Sequence, residues 1–196
     1  MSDATLVSTE ELVVLVDDHG RQLGTAAKAS VHHEMTPLHL GFSCYVFDAD
    51  DRVLLTRRAL AKRTWPGVWT NSFCGHPGPG ESTADAVHRR AHQELGLTLD
   101  QLTCVLPDYR YRATAADGTV ENELCPVFTA IATGPLRPAP TEVMDYAWAP
   151  WRELRSAADL RWAISPWAVD QIPLLEAATR TGHSPRSSAN NARASR

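Results

Sequence analysis

Residues 70–97, TNSFCGHPGPGESTADAVHRRAHQELGL, limit the folds open to this chain more than any other stretch. Pro77, Gly78, Pro79 and Gly80 exclude a helix or a central strand there and force a tight loop. Just before it, Cys74-Gly75-His76 sets a thiol beside an imidazole. Just after it, an amphipathic helix is expected. Ser82 or Thr83 can cap it, and Ser82 with Asp85 has capping-box spacing. Ala84, Val87, Ala91 and Leu95 then form one apolar stripe. Glu94 borders that stripe, so its carboxylate can reach into a site instead of facing water. Gly96 supplies the stop.

The spacing Gly75, Glu81, Arg89, Glu94, Gly96, Leu97 resembles the Nudix box, G-x5-E-x7-R-E-U-x-E-E-x-G-U with U a bulky aliphatic. Three positions depart from it. Arg90 and Gln93 stand where Nudix hydrolases carry glutamates, and Ala91 is smaller than the usual aliphatic. Hydrolases use those carboxylates to hold Mg²⁺ and activate water. The resemblance therefore implies the fold more firmly than hydrolytic chemistry.

A chain of 196 residues with 43% hydrophobic content suits one domain with a sizeable core. A net charge of −4 offers no field for wrapping nucleic acid. No apolar run approaches the roughly 18 residues of a membrane span. Cys44, Cys74, Cys104 and Cys125 are widely spaced without a CxxC, and the polar, acidic start reads as no export signal, so reduced thiols in a cytoplasmic protein are expected.

Residues 1–10 read as a flexible start, residues 11–180 as the folded domain, and residues 181–196, rich in Ser, Asn, Arg and Ala, as a disordered tail. Strands are expected at Leu12 to Val16, His39 to Phe47, Val53 to Arg58, and Leu102 to Tyr111 with an interruption at Pro107. Val120 to Ile131 is the longest strand candidate, its Pro126 marking an edge or a bulge. Tyr146 to Trp148 suggests a last strand, and helices are expected at Trp151–Ala158 and Pro166–Arg180. Strands and helices mix without strict alternation. That favours an α+β arrangement, a mixed β-sheet sandwiched between helices, over a doubly wound parallel one.

Glu121-Asn122-Glu123 carries the sharpest chemical signal. Residues two apart on a strand share a face, which sets two carboxylates about 7 Å apart. Beside apolar neighbours such a pair needs compensation, most simply from a metal ion; a solvent-facing acidic strand is the alternative. His32, His39 and His76 are the candidate imidazole ligands, and spacing alone does not show that they converge. His33 is an easily confused neighbour, and His88 and His92 fit a wet helix face. Mixed imidazole and carboxylate donors suit Zn²⁺ or Mn²⁺. Lys28, Arg57, Arg58, Lys62 and Arg63 form a basic set that a diphosphate would need, together with a divalent cation. Trp65, Trp69 and Trp167 read as core packing or as a pocket whose ring faces stabilise positive charge.

TRRALAKRTWPGVWTNSFCGHP, YRYRAT, VENELCPVF, EVMDYAW and SPWAV together resemble the type I isopentenyl-diphosphate isomerases, a Nudix-fold family, over about residues 10–175. Departures from the hydrolase box are features of that family too. The resemblance implies conversion of isopentenyl diphosphate to dimethylallyl diphosphate through a carbocation-like state. By motif, Cys74 and Glu123 would be the acid–base pair, with the direction of transfer left open. Tyr111 would hydrogen-bond near the protonating group, and Trp167 would face the cation. His32, His39, His76, Glu121 and Glu123 would bind the first metal, Mn²⁺ or Zn²⁺. Glu94 would bind Mg²⁺ with the substrate diphosphate, and Lys28, Arg58 and Lys62 would contact that diphosphate. No flavin, nucleic acid or membrane partner is implied, and a monomer is compatible. A hydrolase of a nucleoside or prenyl diphosphate, or a non-enzymatic binding module, are the competing classes.

Overall fold

The computed structural model describes residues 11–180. The expectations for residues 1–10 and 181–196 lie outside the described residues. The apolar run LVVLV forms β1 (Leu12–Val16), which buries Val13, Val14 and Val16. Asp17 Oδ1 closes the following turn by accepting from the amides of His19 and Arg21. The chain then returns as β2 (Gln22–Ala27), antiparallel to β1. QLGTAA has no β-branched run, and its position at the edge of a sheet explains how so weak a signal still forms a strand. One helical turn, α1 (Lys28–Val31), leads to His32.

Residues 39–47 form two strands instead of one. β3 (His39–Leu40) and β4 (Phe42–Phe47) lie in different sheets and are separated by Gly41. After β5 (Arg52–Arg58) come two short strands, β6 (Trp69–Thr70) and β7 (Phe73–Gly75), added to β5 and β4. The Pro-Gly loop enters α2 (Thr83–Leu95). β8 (Thr98–Leu106) and β9 (Arg110–Thr114) flank Pro107, which ends one strand and separates it from the next. Residues 120–131 also divide, into β10 (Val120–Leu124) and β11 (Val127–Thr133). β12 (Val143–Pro150), α3 (Trp151–Ala158) and α4 (Pro166–Arg180) complete the fold.

The strands make two mixed sheets, ordered β2-β1-β3-β10-β9 and β12-β5-β4-β11-β8. β3 runs parallel to β10, and β4 runs parallel to β11. Two neighbouring chain segments therefore pass from the first sheet to the second side by side. Their hydrogen bonding persists through the crossing: Gly41 N–H donates to Leu124 O at 2.9 Å, and Ser43 N–H donates to Pro126 O at 3.1 Å. Pro126 thus marks no edge, and the expected irregularity follows it as a register shift against β8 between Val127 and Phe128. Pro126 lacks an amide hydrogen, so the ladder breaks there, and the break is the change of sheet.

FSCYVF in β4 is buried on both faces apart from partial exposure of Phe47, because helices cover both sides of the second sheet. Phe42, Cys44 and Val46 pack with Ala86, Val87, Ala91 and Leu95 of α2. Tyr45 packs on the other side with Leu154 of α3 and Trp167, Ala168 and Ile172 of α4. Each fully buried aliphatic side chain of this kind contributes about 1.5–3 kcal/mol. The stripe on α2 includes Ala86; Ala84 is exposed, which corrects the spacing read from the sequence. Gly75 lets β7 approach α2: a Cβ there would lie 2.8 Å from Phe42 Cζ and 2.9 Å from Arg90 Cγ.

Candidate active site

His32 follows α1, His39 lies in β3, His76 follows β7, and Glu121 and Glu123 alternate along β10. One ligand atom from each lies within 4.8 Å of all the others. The register explains part of this, since His39 pairs directly with Glu123 across the parallel β3–β10 ladder. His76 Nε2 is 3.0 Å from Glu123 Oε1, His39 Nε2 is 3.7 Å from the same oxygen, and His32 Nε2 is 3.0 Å from Glu121 Oε2. Despite that last distance, both His32 Nε2 and Glu121 Oε2 are buried without a hydrogen-bond partner, as is His39 Nε2. Lone pairs converging on one point without satisfying each other fit a cation between them. His39 Nδ1 lies 2.9 Å from Pro37 O, the second contact that turns the other ring nitrogen toward a metal. Burial raises the Glu123 carboxyl, but His39 and His76 outweigh it and hold it well below the ordinary carboxylate range. Burial pushes the His76 imidazole down, toward the neutral form that a metal ligand needs. The donor set therefore fits a divalent metal.

Cys74 lies in β7 directly opposite Ser43 of β4. Burial pushes its thiol up to about 11, so it carries its proton at neutral pH. Its Sγ is 3.4 Å from Asn71 Oδ1, which also accepts from Trp167 Nε1 at 2.9 Å. Thiol and indole are therefore tied to one amide. Tyr111 pairs in register with Glu123 and lies 5.9 Å from the Trp167 ring, while Trp65 meets that ring edge-on at 5.5 Å. The four residues expected to do chemistry, Cys74, Glu123, Tyr111 and Trp167, thus converge where the sheets exchange strands. Trp65 and Trp69 pack in the same cluster, in line with their reading as packing residues.

The basic residues do not share one contact. Lys28 pairs with Glu11 at 2.5 Å, and Lys62 pairs with Glu142. Arg58 holds Thr64 O through Nε and Nη2, with its guanidinium 5.6 Å from the Trp167 ring centroid. Lys28 lines a cleft of about 480 Å³ with His76, Glu81, Arg89 and Arg90; Arg58 and Lys62 do not line it. Glu94 is buried, as its spacing suggested, but it stands apart from the His/Glu cluster and pairs with Arg90 at 2.5 Å. Arg90 also reaches Glu142 at 3.1 Å. In the sequence Arg90 reads only as a replaced box glutamate, and Glu142 stands out by no motif of its own. The four-residue spacing of Arg90 and Glu94 on a helix was the available signal for the first. His33, His88 and His92 are exposed, matching the bland reading of each.

A NUDIX domain family model matches residues 37–171. A protein of Mycolicibacterium vanbaalenii named isopentenyl-diphosphate Delta-isomerase is 62% identical over 87% of this chain and 94% of its own length. Proteins of the same name from Clavibacter sepedonicus and Frankia alni are 61% and 58% identical, over 84% and 86% of this chain and 87% of their own lengths in both cases. Among solved structures, the DR0079 protein of Deinococcus radiodurans superposes with a TM-score of 0.64 at 16% identity, covering 86% of this chain and 99% of its own. A MutT protein of Methanosarcina mazei does so at 0.56 and 16%, over 74% and 95%. These structural likenesses bear on the fold alone.

Proposed function

Because the chain belongs to the NUDIX family and, within it, groups with the isopentenyl-diphosphate Delta-isomerases, we propose that it moves the double bond of isopentenyl diphosphate to give dimethylallyl diphosphate. The observation that carries the reading at the level of residues is the packing of half-buried Cys74 and Tyr111 around buried Trp167, with Tyr111 paired in register to buried Glu123 of a donor cluster fit for a metal.

An isolated alkene is a weak base, so a positioned acid is needed. One of Cys74 and Glu123 gives a proton to the terminal alkene carbon, and a tertiary cation-like centre develops at the adjacent carbon. The other removes a proton from the neighbouring methylene, and the double bond moves with atoms and charge conserved. Cys74 holds its proton at neutral pH, and Glu123 is held ionised by its histidines, which suits the two to opposite halves of the transfer. The Trp167 ring offers a face that stabilises a cation without attacking it. Close aromatic packing by Trp65, Tyr109 and Tyr111 keeps out water, which would quench the cation.

His32, His39, His76, Glu121 and Glu123 would hold a divalent metal, Mn²⁺ or Zn²⁺ by donor type. When bound, it supplies fixed positive charge that organises these side chains and tunes the Glu123 carboxyl. Lys28, Arg58 and Lys62 would receive the diphosphate, and Glu94 would share a Mg²⁺ with it. That requires Glu94 to leave Arg90, which keeps Glu142 at 3.1 Å as a partner. Among the described residues no helix is long and apolar enough to cross a membrane, and a cytoplasmic enzyme belongs to the same proposal. Hydrolysis fits less well, because Arg90 and Gln93 replace two box carboxylates and the two that remain, Glu94 and Glu81, are paired with Arg90 and Arg89.

Incubation with isopentenyl diphosphate in deuterated water tests the reading. Deuterium entering the methyl group of the product, and stopping on chelation, is expected. Release of phosphate without label in carbon would overturn it in favour of hydrolysis.

A further inference from the structure

Behind Cys74 lies a set of polar side chains with no access to solvent: Ser43, Tyr45, Asn71 and Gln171 are each 0% exposed. Such groups are costly unless fully paired, and here the pairing has a direction. The Tyr45 hydroxyl donates to Gln171 Oε1 at 2.9 Å. That contact fixes the amide so that Gln171 Nε2 donates to Ser43 Oγ, also at 2.9 Å. Ser43 therefore accepts once and keeps one proton to give, with Cys74 Sγ at 3.4 Å and Cys125 Sγ at 3.6 Å. On the other side, Asn71 Nδ2 donates to the carbonyls of Cys44 and Phe73 at 3.0 and 2.8 Å, which turns Oδ1 toward Cys74. The thiol donates to that oxygen.

We propose that Gln171, acting through Ser43, is a positioning residue for Cys74, holding its sulfur in the rotamer that the proton transfer requires. The proposal rests on the isomerase reading and deepens it. A cysteine side chain has three χ1 wells, and partners on two sides select one of them. Proton transfer to or from carbon needs the reacting atoms about 3–3.5 Å apart and aligned. With Gln171 paired, the Ser43 hydroxyl is oriented and the sulfur is held between Ser43 and Asn71. Without Gln171, the hydroxyl is free to turn, Cys125 competes for it, and other Cys74 rotamers are populated. None of this touches the proposed diphosphate contacts, so the chemical step suffers and substrate affinity does not.

Metal-loaded, full-length wild type, Ser43→Ala, Gln171→Met and the double variant are compared by steady-state kinetics with isopentenyl diphosphate and by thermal melting. Each single variant is expected to lose kcat roughly ten- to hundredfold, with KM within about twofold of wild type. The double variant loses no more than the worse single one, because both lie on one path. Singles with kcat within about twofold of wild type, a double loss equal to the product of the single losses, or a rise in KM that accounts for the effect would each overturn the proposal. If Gln171→Met does not fold, Ser43→Ala, which removes one oxygen atom, decides by the same kcat and KM criterion. A wild-type protein that fails to isomerise would overturn the underlying reading and this proposal together, whereas active wild type with unaffected variants overturns this proposal alone.

Discussion

His32 Nε2 and Glu121 Oε2 approach to 3.0 Å without a proper hydrogen bond, and both are buried. At the residue scale this geometry separates a cation site from an acidic surface. The two-residue alternation of Glu121 and Glu123 was legible in the sequence, because strand periodicity is local. Their burial was not, because it depends on what the fold brings over them. Glu123 meets two histidines from different elements, while Cys74 meets none of the cluster's side chains by hydrogen bond. The two residues should therefore fail in different ways. Cys74→Ala and Glu123→Gln are each expected to lower isomerase turnover by about 10³-fold or more. Metal content, measured by elemental mass spectrometry, should stay normal in Cys74→Ala and fall in Glu123→Gln. Equal metal content in both variants would remove Glu123 from the ligand set.

The helix of the box motif shows what spacing can and cannot specify at the scale of one element. Ser82 caps α2 as expected: its Oγ accepts from Asp85 N–H at 3.1 Å. Gly96 ends the helix at φ +64°, and a Cβ there would lie 2.9 Å from Arg137 Cβ, so conformation and space both call for glycine. Both signals are local, and both were readable. The buried face was misplaced by Ala84 because Arg90 and Glu94, two charged residues, occupy the inward side as a pair. Glu81 before the helix and Arg89 within it form a second pair, with Arg89 Nε and Nη2 each 2.7 Å from a Glu81 oxygen. Hydrogen bonding from Arg89 holds the Glu81 carboxyl below its ordinary value, against the opposing effect of burial. Its stabilisation is therefore fully present above the unfolded-state pKa and is lost as pH falls through the depressed folded value. Glu81→Gln should melt lower than wild type at neutral pH by about 1 kcal/mol, or roughly 2–4 °C. The gap should close once the pH lies below the depressed folded-state value, where Glu81 is protonated in both states. A gap that stays constant with pH would assign the loss to packing instead.

Across the whole molecule, the two sheets exchange strands at Gly41 and Pro126, and the site occupies that junction. Helices on both faces of the second sheet leave its central strand apolar, while the crossing exposes strand ends to one another in the interior. A metal held there by residues from α1 to β10 would tie both sheets together. If it binds only the folded state at about a hundred times its dissociation constant, it adds about 2.7 kcal/mol, roughly 5–10 °C in a chain of this size. Calorimetry with and without chelator should show that fall, and unchanged melting would count against the five-residue site. Taken alone, the amino-acid order determined the turns, the caps, the extent of the box helix, the strand alternation of Glu121 and Glu123 and, through shared motifs, the family. These are properties of residues within a few positions of each other, or of stretches shared with related chains. Only the tertiary structure decided that His39 sits opposite Glu123, that Ser43 sits opposite Cys74, that one proline marks a change of sheet and that Gln171 of the last helix reaches Ser43 behind the thiol. Contacts between distant parts of a chain follow from the register and burial of all the strands and helices at once, and no short window of sequence contains them.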